Sequence, residues 1–85
     1  MTLTELVSKY LSNTQRVFGE AKRVSSSIHL DEGKIENVIE TAKRYLEDAE
    51  YYQRRNKLET SLASVAYCEG LLDALRLLGA VKFSW

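Results

Sequence analysis

Along residues 3–24 one stripe of positions returns at alternating four- and three-residue steps: Leu3, Val7, Tyr10, Thr14, Val17, Ala21 and Val24. Leu6, Leu11 and Phe18 lie beside it. This period winds onto one side of an α-helix and is narrow enough for a bundle or coiled-coil seam. Thr2 and Glu5 carry the spacing of a capping box, in which hydroxyl and carboxylate each satisfy an unpaired backbone N–H. The first helix is therefore expected over about 2–25. Ser25, Ser26 and Ser27 compete for backbone hydrogen bonds and place a loop near Ser25 to Leu30.

Asp31 is the expected second N-cap, with Glu32 placed against the positive helix end. Ile35, Val38, Ile39, Ala42, Tyr45, Leu46, Ala49 and Tyr52 then share one face, predicting a helix over about 31–55. Glu40 with Arg44, and Glu50 with Arg54, are spaced as i, i+4 ion pairs. Asn56 can end this helix and cap the next, with Glu59 at the third position. So short a turn sets the two helices antiparallel.

A third helix over about 57–78 ends at Gly79, a natural left-handed C-terminal residue. It divides into a bulky face (Cys68, Leu71, Leu72, Leu75, Leu78) and a small-residue strip (Ala63, Ala66, Gly70, Ala74). Two apolar faces imply two neighbours, so this helix is expected at the centre of the core. An interior glycine costs about 1 kcal/mol against alanine in a helix. A close helix crossing at Ala66, Gly70 and Ala74 would offset that. In the tail, Val81, Phe83 and Trp85 alternate with polar residues and can turn to one side, docking on their own chain or on a second copy.

With 85 residues and 45% apolar content the chain is expected to form one domain, 1–85, with a core just large enough to stand without disulfide or metal. Twelve basic and twelve acidic residues cancel, so net charge does not point to nucleic acid or an anionic membrane. The sequence shows neither a membrane-length apolar run nor a signal pattern, and a single Cys excludes an internal disulfide. The expected location is cytoplasmic.

Several residues invite sharper chemistry. Asp48, Glu69 and Asp73 could supply oxygen ligands to a divalent metal, but Arg76 is spaced to pair with Asp73 and the cluster reads better as a solvated salt bridge. Arg23 and His29 have the spacing of an Arg-then-His pair in small helical endoribonucleases, where His would move the proton and Arg would steady the phosphate. Such short motifs are weak, and an ordinary surface His is preferred. Cys68 on the bulky face reads as a small hydrophobe. Tyr51, Arg54, Arg55 and Lys57 at the hairpin tip could stack and pair with single-stranded RNA.

Two stretches carry a family resemblance. Tyr45-Leu46-Glu47-Asp48-Ala49-Glu50-Tyr51-Tyr52 has a Tyr, then an Asp-Ala pair, then an aromatic residue. Ala66-Tyr67, Gly70-Leu71-Leu72-Asp73-Ala74 and the later Gly79 form the second. Together they resemble an archaeal family of short helical proteins, domain of unknown function 357, over helices two and three. The resemblance implies no activity, cofactor or site residue. Cys68 stands where the family more usually has a small residue such as Ala, which suggests a packing position.

These readings combine into an all-α antiparallel three-helix bundle with a short apolar tail, acting as a non-catalytic interaction module without cofactor or metal. The expected assembly is a homodimer, with room for an unidentified protein partner. Its candidate interface is Leu71, Leu72, Leu75, Leu78, Val81, Phe83 and Trp85. An RNA-associated helper using the hairpin tip is the first alternative, and a small endoribonuclease using Arg23 and His29 the second.

Overall fold

A computed structural model describes residues 2–24 and 27–85. Three helices follow in order: α1 (Leu3–Glu20), α2 (Glu32–Arg54) and α3 (Leu58–Leu77), with no strand among the described residues. The all-α class and the order of the helices are as the periodicity predicts. Of the expected first loop, Ser25 and Ser26 lie outside the described residues.

The helix ends follow from their capping chemistry. Thr2 Oγ1 accepts the Glu5 N–H at 3.1 Å and donates to Glu5 Oε1 at 3.1 Å. Asp31 accepts the Lys34 N–H at 2.9 Å and starts α2. Asn56 is the non-glycine residue with positive φ, 58°, and it terminates α2 in a Schellman arrangement. The Lys57 N–H reaches the Tyr52 carbonyl at 2.9 Å while the Asn56 N–H reaches that of Gln53 at 3.0 Å. Gly79, φ 80°, repeats the device after α3, with Ala80 N–H on the Leu75 carbonyl at 2.9 Å. Asn56 does not also cap α3. Lys57 holds that position with no side-chain cap, because Asn56 is committed to the left-handed turn.

Residues 55–57 are too few to do anything but fold α3 back along α2. The seam that results repeats every seven residues. Ile35, Ala42 and Ala49, with Val38, Tyr45 and Tyr52, face Ser61, Cys68 and Leu75, with Val65 and Leu72. Ala42, Ala49, Cys68 and Leu75 are the buried residues. Small side chains let the two backbones approach: Ser61 Oγ donates to the Ala49 carbonyl across the interface at 2.7 Å. Further along, Tyr45 and Tyr67 stack with ring centroids 4.3 Å apart. Each step up α2 is thus matched by a step down α3, the antiparallel register.

Two packing expectations are corrected. The close crossing expected at Ala66, Gly70 and Ala74 does not occur within the chain, since all three are exposed and a Cβ built on Gly70 meets nothing within 4 Å. The small residues that admit a close neighbour are on the opposite side, at Ser61 and Cys68, because the turn at Asn56 presents that side to α2. Nor does α3 have two helical neighbours. No Cα of α1 comes within 8 Å of a Cα of α2 or α3. The eleven residues between α1 and α2 leave α1 free of the geometric demand that a tight turn imposes. Among the described residues, ion pairs join Arg16 to Glu20, Lys43 to Glu40 and Arg76 to Asp73. Glu40 therefore meets Lys43 rather than Arg44, and Glu50 does not pair with Arg54.

Candidate functional site

Of the residues expected at an interface near the C-terminus, Leu75 is unavailable, because it is buried in the α2–α3 seam. Leu71, Leu72, Val81 and Phe83 are half-buried, and Leu78 and Trp85 are exposed. The tail docks on its own chain. Trp85 Nε1 donates to Asp73 Oδ1 at 3.2 Å, and the Trp85 ring meets Phe83 edge-on with centroids 4.9 Å apart. Arg76 binds the same oxygen through Nε at 3.0 Å and Nη2 at 2.8 Å while its guanidinium lies over the Phe83 ring at 5.9 Å. These hydrogen bonds, from Arg76 first and then Trp85, hold the Asp73 carboxyl below its ordinary range.

The Asp73 carboxylate is thus engaged by Arg76 and Trp85. Among the described residues no group of three or more His, Cys, Asp or Glu side chains is placed to hold a metal ion. Burial pushes the Cys68 thiol up, and the neighbouring Glu69 carboxylate adds to this, the opposite of the shift that activates a thiolate. Arg23 and His29 each lie outside the helices, between α1 and α2, and His29 accepts a hydrogen bond from Lys34 Nζ at 3.5 Å through its backbone carbonyl. They do not share a helix face. At the hairpin tip, Arg55 lies over the Tyr51 ring at 4.8 Å and Tyr51 packs edge-on against Tyr52 at 5.3 Å. Arg54 and Lys57 are exposed beside them.

The feature that the sequence pattern does not announce is the face of α1. Its stripe is out in solvent, with Leu3 57% and Tyr10 63% exposed, and Phe18 beside it is 82% exposed. Between this helix and the start of α3 runs an open groove of about 540 Å³. Leu3, Val7, Tyr10 and Leu11 form one wall, and Thr60 and Ala63 the other. The groove follows from the length of the connection 21–31, which separates α1 from the hairpin and which periodicity does not read.

Residues 4–81 match the family model described as "Protein of unknown function (DUF357)". The chain belongs to this DUF357 family. The match takes in α1 as well as the hairpin, so it extends past the two stretches that carry the sequence resemblance. No curated protein and no solved structure matches the chain. Among the described residues of this DUF357 protein, no helix is long and apolar enough to cross a membrane.

Proposed function

We propose that this protein is a non-catalytic helical interaction module that works by self-association, as a cytoplasmic homodimer. The observation that carries the reading is uncovered surface. The chain exposes 7351 Å², whereas a folded monomer of 9.7 kDa exposes roughly 5,100 Å². Its radius of gyration is 15.4 Å, against about 12 Å for a compact domain of this length. The excess is roughly 2,200 Å² per chain, so closing it between two copies would bury an area in the range of obligate homodimers, about 2,000–5,000 Å².

The neutral net charge supports the same reading, since two copies meet without an overall repulsion. A single Cys, buried and unpaired, is in keeping with a reducing compartment. The RNA reading of Tyr51, Arg54, Arg55 and Lys57 is weaker, because Arg55 already covers the Tyr51 ring on which a base would stack. Light scattering coupled to size exclusion tests the proposal. A mass twice the 9.7 kDa of one chain at micromolar concentration is expected, and a mass equal to it would refute self-association.

A further inference from the structure

We infer that the apolar face of α1 is the surface on which two copies of this chain meet, with the two α1 helices antiparallel and each lying in the groove between α1 and α3 of the other. The inference rests on the self-association reading and adds where the contact is made and what occupies the groove. The uncovered area is concentrated on one helix. The α2–α3 seam is closed, while α1 leaves Leu3, Val7, Tyr10, Leu11, Val17 and Phe18 each 49% to 82% exposed, without a helix packed against them. The hairpin also exposes Leu62, Leu77 and Leu78, but each of its helices has a buried side, whereas α1 has no buried residue and its whole apolar stripe belongs to the surplus.

A second α1 is the occupant that the groove fits. The groove walls already combine an α1 face with an α3 face, so a two-fold arrangement fills both grooves at once with the same contact. A 4-3 stripe is the pattern that helix-on-helix packing uses. Charge fixes the direction. Arg16, Lys22 and Arg23 outnumber Glu20 at the C-terminal end of α1 and its continuation, whereas Glu5 and Lys9 balance near the N-terminus. A parallel pair would set two basic ends together, and an antiparallel pair keeps them apart and opposes the helix dipoles. A lipid surface is a poorer occupant, because the polar side of α1 itself carries Glu5 and Glu20 against Lys9 and Arg16 rather than a basic face.

Leu11 stands at the middle of α1, on the groove wall and 57% exposed, so in an antiparallel pair it faces its own counterpart. Leu11→Arg and Leu11→Glu are each expected to weaken dimerisation by about 30-fold or more, the scale of an interface hot spot. Mixing the two variants is expected to restore a dimer, since opposite charges then meet at the two-fold axis. Leu78→Arg, at the far end of α3, is expected to leave the dimer in place. Light scattering on the 85-residue chain, with far-ultraviolet circular dichroism on each sample, gives the readout. Dimers that persist in both Leu11 variants, fail to recover on mixing, or fall apart in Leu78→Arg would overturn the inference while leaving self-association standing. A parent protein that is monomeric would overturn both, and cosedimentation of that monomer with anionic phospholipid vesicles would assign α1 to a lipid surface instead.

Discussion

The first helix and the hairpin are written in the same code and come to different ends. In α1 and in α2 the stripe positions recur at heptad-like steps, each helix opens on a side-chain cap, and the two are of similar length. Yet α2 buries Ala42 and Ala49 while α1 has no buried residue. The difference lies in the connections. Residues 55–57 force α3 back onto α2, so the stripe of α2 finds a partner at once. Segment 21–31 imposes no such return. A periodic stripe states that a face is built to be covered; the length of the adjoining connection decides whether the cover comes from the same chain.

The sharpest way to break this contrast is to remove one leucine from each region. Leu75 is 4% exposed, so Leu75→Ala should cost about 2–5 kcal/mol through lost burial and the cavity left behind. Leu11 is 57% exposed, so Leu11→Ala should leave the unfolding of the hairpin nearly unchanged at concentrations where the protein is monomeric. Urea titrations of the two variants beside the parent give the answer. Equal losses would mean that α1 packs on the hairpin in solution.

Caps offer a gentler comparison. Asp31→Ala removes the acceptor of the Lys34 N–H and should lower the stability of the hairpin by about 1 kcal/mol. Thr2→Ala removes the matching bond to Glu5, but α1 stands apart, so the loss should be confined to local helicity. Thermal melts followed at the Tyr45–Tyr67 stack and by backbone circular dichroism separate local from global effects. A shift in the hairpin's melting temperature for Thr2→Ala as large as that for Asp31→Ala would erase the distinction between the regions.

Much of the hairpin was legible from sequence because its signals are local and agree with one another. Asp31, Asn56 and Gly79 each mark an end through backbone chemistry that needs no tertiary context. The bulky face of α3 also went where its period pointed, with Cys68 and Leu75 buried. The choice between the faces of α3 was less legible. Ala66, Gly70 and Ala74 look as suited to a close crossing as Ser61 and Cys68 do, and only the rotation set by the turn at Asn56 distinguishes them. The tail was half legible: the alternation of Val81, Phe83 and Trp85 was plain, but the hydrogen bond that ties Trp85 to Asp73 joins residues brought together by the end of α3. The groove beside α1 was not legible at all, since it is a property of how far a connection lets two elements separate.

Gly70 provides a test of the corrected face at a smaller energy. A Cβ at this position meets nothing within 4 Å, so Gly70→Ala should gain most of the intrinsic helix preference, roughly 0.5–1 kcal/mol, and raise the melting temperature. Had the helices crossed there, the same methyl group would have pushed them apart. A lowered melting temperature in Gly70→Ala would therefore restore a close neighbour to this strip.

The smallest expected effect is also the most local, and it separates the docked tail from both helical regions. Asp73 is held below the ordinary carboxyl range by the Arg76 and Trp85 hydrogen bonds. A carboxyl whose folded value is lowered contributes stability that is fully present above its unfolded value, about 3.9, and is lost as the pH falls through the folded value. The tail contact should accordingly be intact at neutral pH and open only in acid below that ordinary value. Trp85 is the only tryptophan, so its emission reports the contact directly. On acidification it should shift toward the spectrum of a free indole in a step centred below the ordinary carboxyl value. Asp73→Asn keeps an acceptor oxygen but loses the charge that Arg76 holds, so the step should vanish while the helices stay folded. An acid step that survives in Asp73→Asn, or that coincides with loss of helical signal, would show that the tail is held by something other than Asp73.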